Sequence, residues 1–283
     1  MAGIIIQPSV LGPRKENPTT SISELYHENS KLHPSIPTEM IAPGNYTETE
    51  ILAMARGYKQ YRLAPQIKLP EKDSLPANEK SIDEVVASRR SVRSFSDQAL
   101  SLKELSKLLQ QSYGITGEIS LPDGGTIALR ASPSGGALYP AEIYLGIRKV
   151  EGLEPGIYHY NVPDHALELL IPGDPTEKLH EACCQQEYTQ QAAVVFLISG
   201  VFQRTKRKYG ERGYRYVFLD VGHLAQNIYI SSTAQDLAVM TTCGFFDDVA
   251  NQLLRIDGID EATLYVAFVG KKKETKESKT GPE

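Results

Sequence analysis

The sequence predicts an α+β domain. Three observations carry this: short runs apolar on every face, helices opened by paired capping residues, and no strict strand–helix alternation. Residues 192–202 and 263–270 are the apolar runs, rich in β-branched residues and bounded by polar chain, hence buried strands. Ser81 with Glu84, and Ser101 with Glu104, are capping boxes. Leu102, Leu105, Leu108 and Leu109 share one face of the second helix, and Gly114 is its stop. Residues 143–150 read as a strand. Residues 157–160 and 167–171 read as a hairpin around Asn-Val-Pro-Asp-His-Ala. Asp174 caps and Pro175 begins a helix that runs through Cys183 and Cys184. Residues 214–236 read as a long, largely buried helix, and Asp247 or Asp248 caps a last one ending near Gly258.

Before Ser81 the chain differs. Nine prolines from Pro8 to Pro76 remove donors and fix φ, so long helices and central strands are not expected. Residues 1–80 therefore read as an irregular arm with short helices at 23–31 and 47–61, residues 81–270 as the compact domain, and residues 271–283 as a disordered polar tail.

Composition excludes several classes. A net charge of −5 argues against bulk attraction to nucleic acid. No run approaches the ~20 apolar residues of a membrane span, and residues 4–6 lack the basic flank of a signal peptide. Three cysteines make no disulfide framework, and adjacent Cys183 and Cys184 read as a packing pair. A cytoplasmic protein is expected. His27 and His33 are six apart and cannot share a metal as i,i+4 histidines do, so no metal is expected. Neither dinucleotide-binding nor P-loop fingerprints are present, nor a serine nucleophile elbow.

Four segments could carry chemistry. Around Arg89, Arg90, Ser91 and Arg93, guanidinium forks beside hydroxyls suit a phosphate, or form a solvated basic face. Pro133, Ser134, Gly135 and Gly136 offer bare backbone to a flat ring, or make an ordinary turn. Arg204, Lys206, Arg207, Lys208 and Arg212 crowd like charge. That lowers a lysine pKa and would let Lys208 or Tyr209 serve as acid or base; a solvated helix flank or an RNA patch are the other readings. Gly244 and Phe245 precede a capped helix, either as a close backbone approach or as a turn and cap.

In this order, the stretches RRSVRSF, SPSGGALYPAEIYL, KYGERGYRYVFLDVGHLAQNIYI and GFFDD resemble the FMN-dependent nitroreductase-like superfamily. Within it they resemble the SagB/ThcOx-type azoline dehydrogenases, as do LYHENSKLH and YRLAPQIKLP in the arm. The resemblance covers about residues 26–270. It implies a central, mostly antiparallel sheet flanked by helices, and a homodimer with FMN at the subunit interface. It matches Arg89, Arg90 and Ser91 to the flavin-binding arginine-rich segment. Pro133, Ser134, Gly135 and Gly136 match the loop meeting the ring from the other subunit, and Gly244 and Phe245 the segment passing the flavin. Lys271 or Lys272 would hold the phosphate. Lys208 and Tyr209 match the acid/base pair of the azoline-oxidising subgroup. The implied activity is oxidation of thiazoline or oxazoline rings to azoles in a ribosomally made peptide, with a cyclodehydratase as possible partner and O2 reoxidising the flavin. A generic NAD(P)H-driven nitro or quinone reductase, and a non-catalytic scaffold of a peptide-modifying complex, are the alternatives.

Overall fold

The structure is a computed structural model and describes residues 21–32, 34, 50, 53, 57–121 and 125–273. His33, most of the helix expected at 47–61, and the tail beyond Lys273 lie outside them.

One seven-stranded sheet organises the chain. Its strands are β1 (Gln66–Lys68), β4 (Ala141–Ile147), β5 (Gly156–Asn161), β6 (Ala166–Pro172), β7 (Val194–Val201), β8 (Leu237–Thr242) and β9 (Glu261–Lys271), in the order β1-β6-β5-β4-β7-β9-β8. Every pairing is antiparallel, so the α+β class holds. A separate hairpin joins β2 (Ile115–Ser120) to β3 (Thr126–Arg130).

Both faces of the sheet are covered, which is why its inner strands read as unbroken apolar runs. On one face Ile143, Leu145 and Ile147 pack with Ala267 and Val269 against α3 (Leu102–Tyr113) and α7 (Gly213–Ala234). Alternate residues turn the other way. Tyr144, Val195, Leu197, Val266 and Phe268 meet α4 (Thr176–Ala182) and α8 (Asp247–Leu254). Leu105, Leu108 and Leu109 of α3 are fully buried, each worth about 1.5–3 kcal/mol relative to exposure. Both capping boxes form, opening α2 (Ile82–Ser88) at Ser81 and α3 at Ser101. Three short pieces complete the order: α1 (Ile22–Asn29), α5 (Tyr188–Gln191) and α6 (Phe202–Tyr209).

Several local expectations are corrected. Gly114 follows α3 with φ −65, so the stop is not a left-handed cap. Pro175, not Asp174, occupies the N-cap of α4; Asp174 instead accepts from the Thr176 N–H at 2.9 Å. That helix ends before the cysteines, because Cys184 and Gln185 both take positive φ. Phe246 is the N-cap of α8, Asp247 and Asp248 sit in its positively poled first turn, and left-handed Arg255 ends it before Gly258. Cys183 is buried and its thiol is pushed up to about 12 by burial, as suits packing. The segment read as an arm supplies β1, which pairs Gln66–Lys68 with Ala166–Glu168.

Candidate active site

The basic stretch after β7 is helix α6, and the helix disperses its charges. Arg204 is buried and pairs with Glu142 at 2.5 Å, while its other terminal nitrogen donates to the Tyr139 carbonyl at 3.1 Å. Lys206 pairs with Glu211 at 3.0 Å, and the Arg207 Nε donates to the Gln203 carbonyl at 3.2 Å. Crowding of like charge, the premise of the sequence reading, is therefore relieved at Arg204 and Lys206, each of which meets a carboxylate. Burial would raise the Glu142 carboxyl, but Arg204 and His159 overcome it and bring it down to about 2. His159 lies fully buried between Glu142 at 2.9 Å and Glu168 at 2.8 Å. Burial pushes the imidazole down, and the two carboxylates more than reverse this, so it is raised.

Lys208 and Tyr209 close α6 and meet the glycine loop of the same chain. Gly136 has φ +69, and a β-carbon there would stand 2.6 Å from Tyr209 Oη and 2.8 Å from Lys208 Nζ. The positive φ favours glycine, and a β-carbon would push both side-chain ends off the loop. A β-carbon at Gly135 would touch the Tyr216 ring at 3.7 Å, and Tyr216 stands edge-on to Tyr209 at 4.9 Å. Tyr209 is raised by burial, with Tyr216 and Asp220 adding to it, so the phenol keeps its proton at neutrality.

Asp220 of α7 braces this loop from below. Ser134 Oγ donates to Asp220 Oδ2 at 2.5 Å, Gly135 donates its N–H to the same carboxylate, and Tyr139 donates its N–H back to Ser134 Oγ at 2.9 Å. Burial raises the Asp220 carboxyl in spite of these donors. Sequence reasoning missed Asp220 and Tyr216. The signal was a lone carboxylate in the otherwise apolar stretch Val217 to Val221, a costly residue unless it holds something.

The phosphate-type residues gather elsewhere on the same helix. Arg89 lies over the Tyr229 ring at 5.0 Å, and Ser91 Oγ is 2.8 Å from the Tyr229 hydroxyl. That hydroxyl accepts from the Thr241 N–H at 3.1 Å. Three residues on, Gly244 donates its N–H to Thr242 Oγ1 at 2.9 Å. Phe245 is buried against the second core. The Arg90 guanidinium folds back on the Ala87 and Arg89 carbonyls. Lys271 pairs with Glu104 of α3, and Lys272 pairs with Asp236 at 3.3 Å. Pro133 sits beside Ser134 in an exposed turn.

Two candidate half-sites result: Pro133–Gly136 with Lys208 and Tyr209 near one end of α7, and Arg89 and Ser91 with Tyr229 and Thr241 near the other. Tyr216 and Tyr229, which anchor them, are about 20 Å apart along the axis at about 1.5 Å per residue. A flavin would find bare backbone at Gly135 and Gly136, with Tyr216, Tyr209 and Lys208 standing close to the positions of the absent β-carbons, and Arg89 and Ser91 would supply donors for its phosphate.

The Nitroreductase family model matches residues 86–271, which takes in both half-sites. A nitroreductase relative from Methanocaldococcus jannaschii is 34% identical over 207 residues, 73% of this chain and 96% of that one. The microcin B17-processing protein McbC of Escherichia coli is 29% identical over 180 residues, 60% of this chain and 62% of McbC. A crystal structure of a nitroreductase from Anabaena variabilis superposes with TM-score 0.71 and 31% identity, over 89% of this chain and 46% of that one. The chain thus spans less than two thirds of the length of McbC and of the Anabaena protein.

Proposed function

This chain belongs to the nitroreductase family, and we propose that it is an FMN-dependent dehydrogenase converting thiazoline or oxazoline rings of a ribosomally made peptide to azoles. The convergence of Lys208 Nζ and Tyr209 Oη on the bare backbone of Gly136 is the observation that carries this reading. Homology to a microcin-processing protein supports the peptide substrate, and a cyclodehydratase that makes the azoline is the partner such chemistry requires.

When bound, FMN would supply the hydride acceptor, which O2 returns to its oxidised form. The protein's own task is the remaining proton. Aromatising an azoline releases one proton from a weakly acidic carbon, and a base must stand beside it. Lys208 Nζ, in its neutral amine form, is the group we assign to receive it, becoming the ammonium. Tyr209, held as a phenol, orients the ring by donating from Oη. Arg89, Arg90 and Ser91 would hold the phosphate, with Lys271 or Lys272 in reserve at the end of β9. Pro133, Ser134, Gly135 and Gly136 would face the ring system, and Gly244 with Phe245 would line its passage.

A homodimer completes the site in this reading. Phe218 and Leu219 are exposed on α7, and Gly222 beside them has open space. Two α7 helices crossing there in antiparallel fashion would set the glycine loop of one protomer near the Arg89–Ser91 segment of its partner.

Lys208→Ala tests the assignment. It should retain flavin absorbance and lose azoline oxidation by about 10²- to 10⁴-fold, the usual worth of a positioned base. Full oxidation by a flavin-loaded Lys208→Ala protein would refute the role. A second reading, an NAD(P)H-driven nitro or quinone reductase, is favoured by the higher identity to the Methanocaldococcus nitroreductase than to McbC.

A further inference from the structure

Helix α1 buries no residue of its own, so apolar packing does not hold it in place. Its C-terminal end is held by charge instead. Arg215 donates from Nη2 to the His27 carbonyl at 2.6 Å and from Nε to Ser30 Oγ at 2.8 Å. Arg212 donates from Nη1 to the Ser30 carbonyl at 2.9 Å. These carbonyls form the negative pole of α1, where cations are stabilising. Tyr26 adds a hydrogen bond from its hydroxyl to the Glu211 carbonyl at 3.2 Å and an edge contact with Tyr214 at 5.6 Å. Ser30 ends the helix and is 4% exposed, on a segment otherwise open to solvent.

Arg212 also reaches inward. Its Nε donates to the Tyr216 hydroxyl at 3.3 Å, and the Tyr216 ring touches both Tyr209 and the space over Gly135. An unbroken run of contacts therefore leads from the α1 terminus through Arg212 and Tyr216 to Tyr209 and the glycine loop. We propose that α1 is a brace for the turn at residues 210–216, and that Arg212 is the positioning residue through which it fixes Tyr209. The physical logic is direct. The turn includes Gly210 at φ +56, a conformation open mainly to glycine, and joins two helices through a single 3-10 turn. Two guanidiniums tied to an external helix end restrict its motion. The brace as a structural element stands on contacts alone; its value to catalysis rests on the role proposed above for Tyr209.

Amide hydrogen exchange on the full chain tests it. Arg212→Gln should raise exchange about tenfold or more at residues 22–30 and 207–216 together, because charged hydrogen bonds of about 1.5–3 kcal/mol are lost. Amides of β4 and β7 should be unchanged. Tyr26→Ala with Ser30→Ala, altered only on the α1 side, should give the same pattern, which separates loss of the brace from misfolding of the Arg212 variant. Faster exchange at 22–30 with 207–216 unaffected in the α1-side variant would overturn the proposal. In turnover, the brace variants should lose kcat with KM little changed, and Tyr216→Phe should show the same bias. If exchange responds as expected while the wild-type protein oxidises no azoline, the brace stands and the dehydrogenase reading falls.

Discussion

At Gly136 one missing β-carbon lets two side chains close on a loop. Replacing it with alanine forces a methyl group onto Tyr209 Oη and Lys208 Nζ and imposes a positive φ on a residue that resists it. The pair and the loop would separate, so Gly136→Ala should abolish turnover even where the protein stays folded. Asp220 makes a subtler case. Burial raises its carboxyl, so keeping it ionised at neutral pH costs the fold stability. Asp220→Asn retains an acceptor for Ser134 and Gly135 while removing the charge. It should unfold at an equal or higher urea concentration, and a clear loss of stability would contradict the account of Asp220. Asp220→Ala leaves both donors unpaired and should weaken FMN retention about tenfold, measured by ultrafiltration. The glycines, Lys208 and Tyr209 were legible in the sequence because their residue types are distinctive. Asp220 and Tyr216 were not, because only the packing of α7 under the loop gives them a task.

At the scale of elements, α6 depends on a charge buried beneath it. Arg204 lies one turn before Lys208 and is tied to Glu142 at the start of β4. Removing either partner strands the other, and Glu142→Gln should cost about 3–5 kcal/mol in urea unfolding at pH 7. The pH dependence has a definite sign. Glu142 is depressed to about 2 from 4.5, so its stabilisation is complete above the unfolded value and is lost as pH falls between them. His159 works in the opposite sense: it is raised, so its contribution is present below 6.5 and is lost as pH rises through its higher folded value. Wild type should lose stability on acidification from about pH 5 more steeply than Glu142→Gln. Parallel acid profiles would show that the pair does not carry this stability. Helices α2 and α3 announced themselves through caps and leucine spacing, and the central strands through β-branched runs. The β2–β3 hairpin did not. It is outside the main sheet, with β2 mostly exposed, and so lacks the apolar signal that burial writes into a strand.

For the whole molecule, both faces of the sheet are used up in the fold, leaving Phe218 and Leu219 of α7 exposed between the half-sites. Phe218→Glu with Leu219→Glu should yield monomers by sedimentation, and those monomers should lose FMN, because each half-site alone would hold only part of the cofactor. Monomers that keep stoichiometric FMN would contradict a shared site. Among the described residues no helix is long and apolar enough to cross a membrane. The family was visible in the ordered motifs, since the backbone needs of the fold confine those residues to fixed places. The substrate we propose rests on fewer groups, chiefly Lys208 and Tyr209, and so is tested by chemistry. The most direct measurement is an anaerobic titration of the purified protein loaded with FMN, followed at the oxidised-flavin bands, with a thiazoline-containing peptide and separately with NAD(P)H. Bleaching by the peptide, with a thiazole formed and colour restored by air, is the expected result. Bleaching by NAD(P)H alone, with the thiazoline unchanged, would contradict the dehydrogenase reading and leave a reductase.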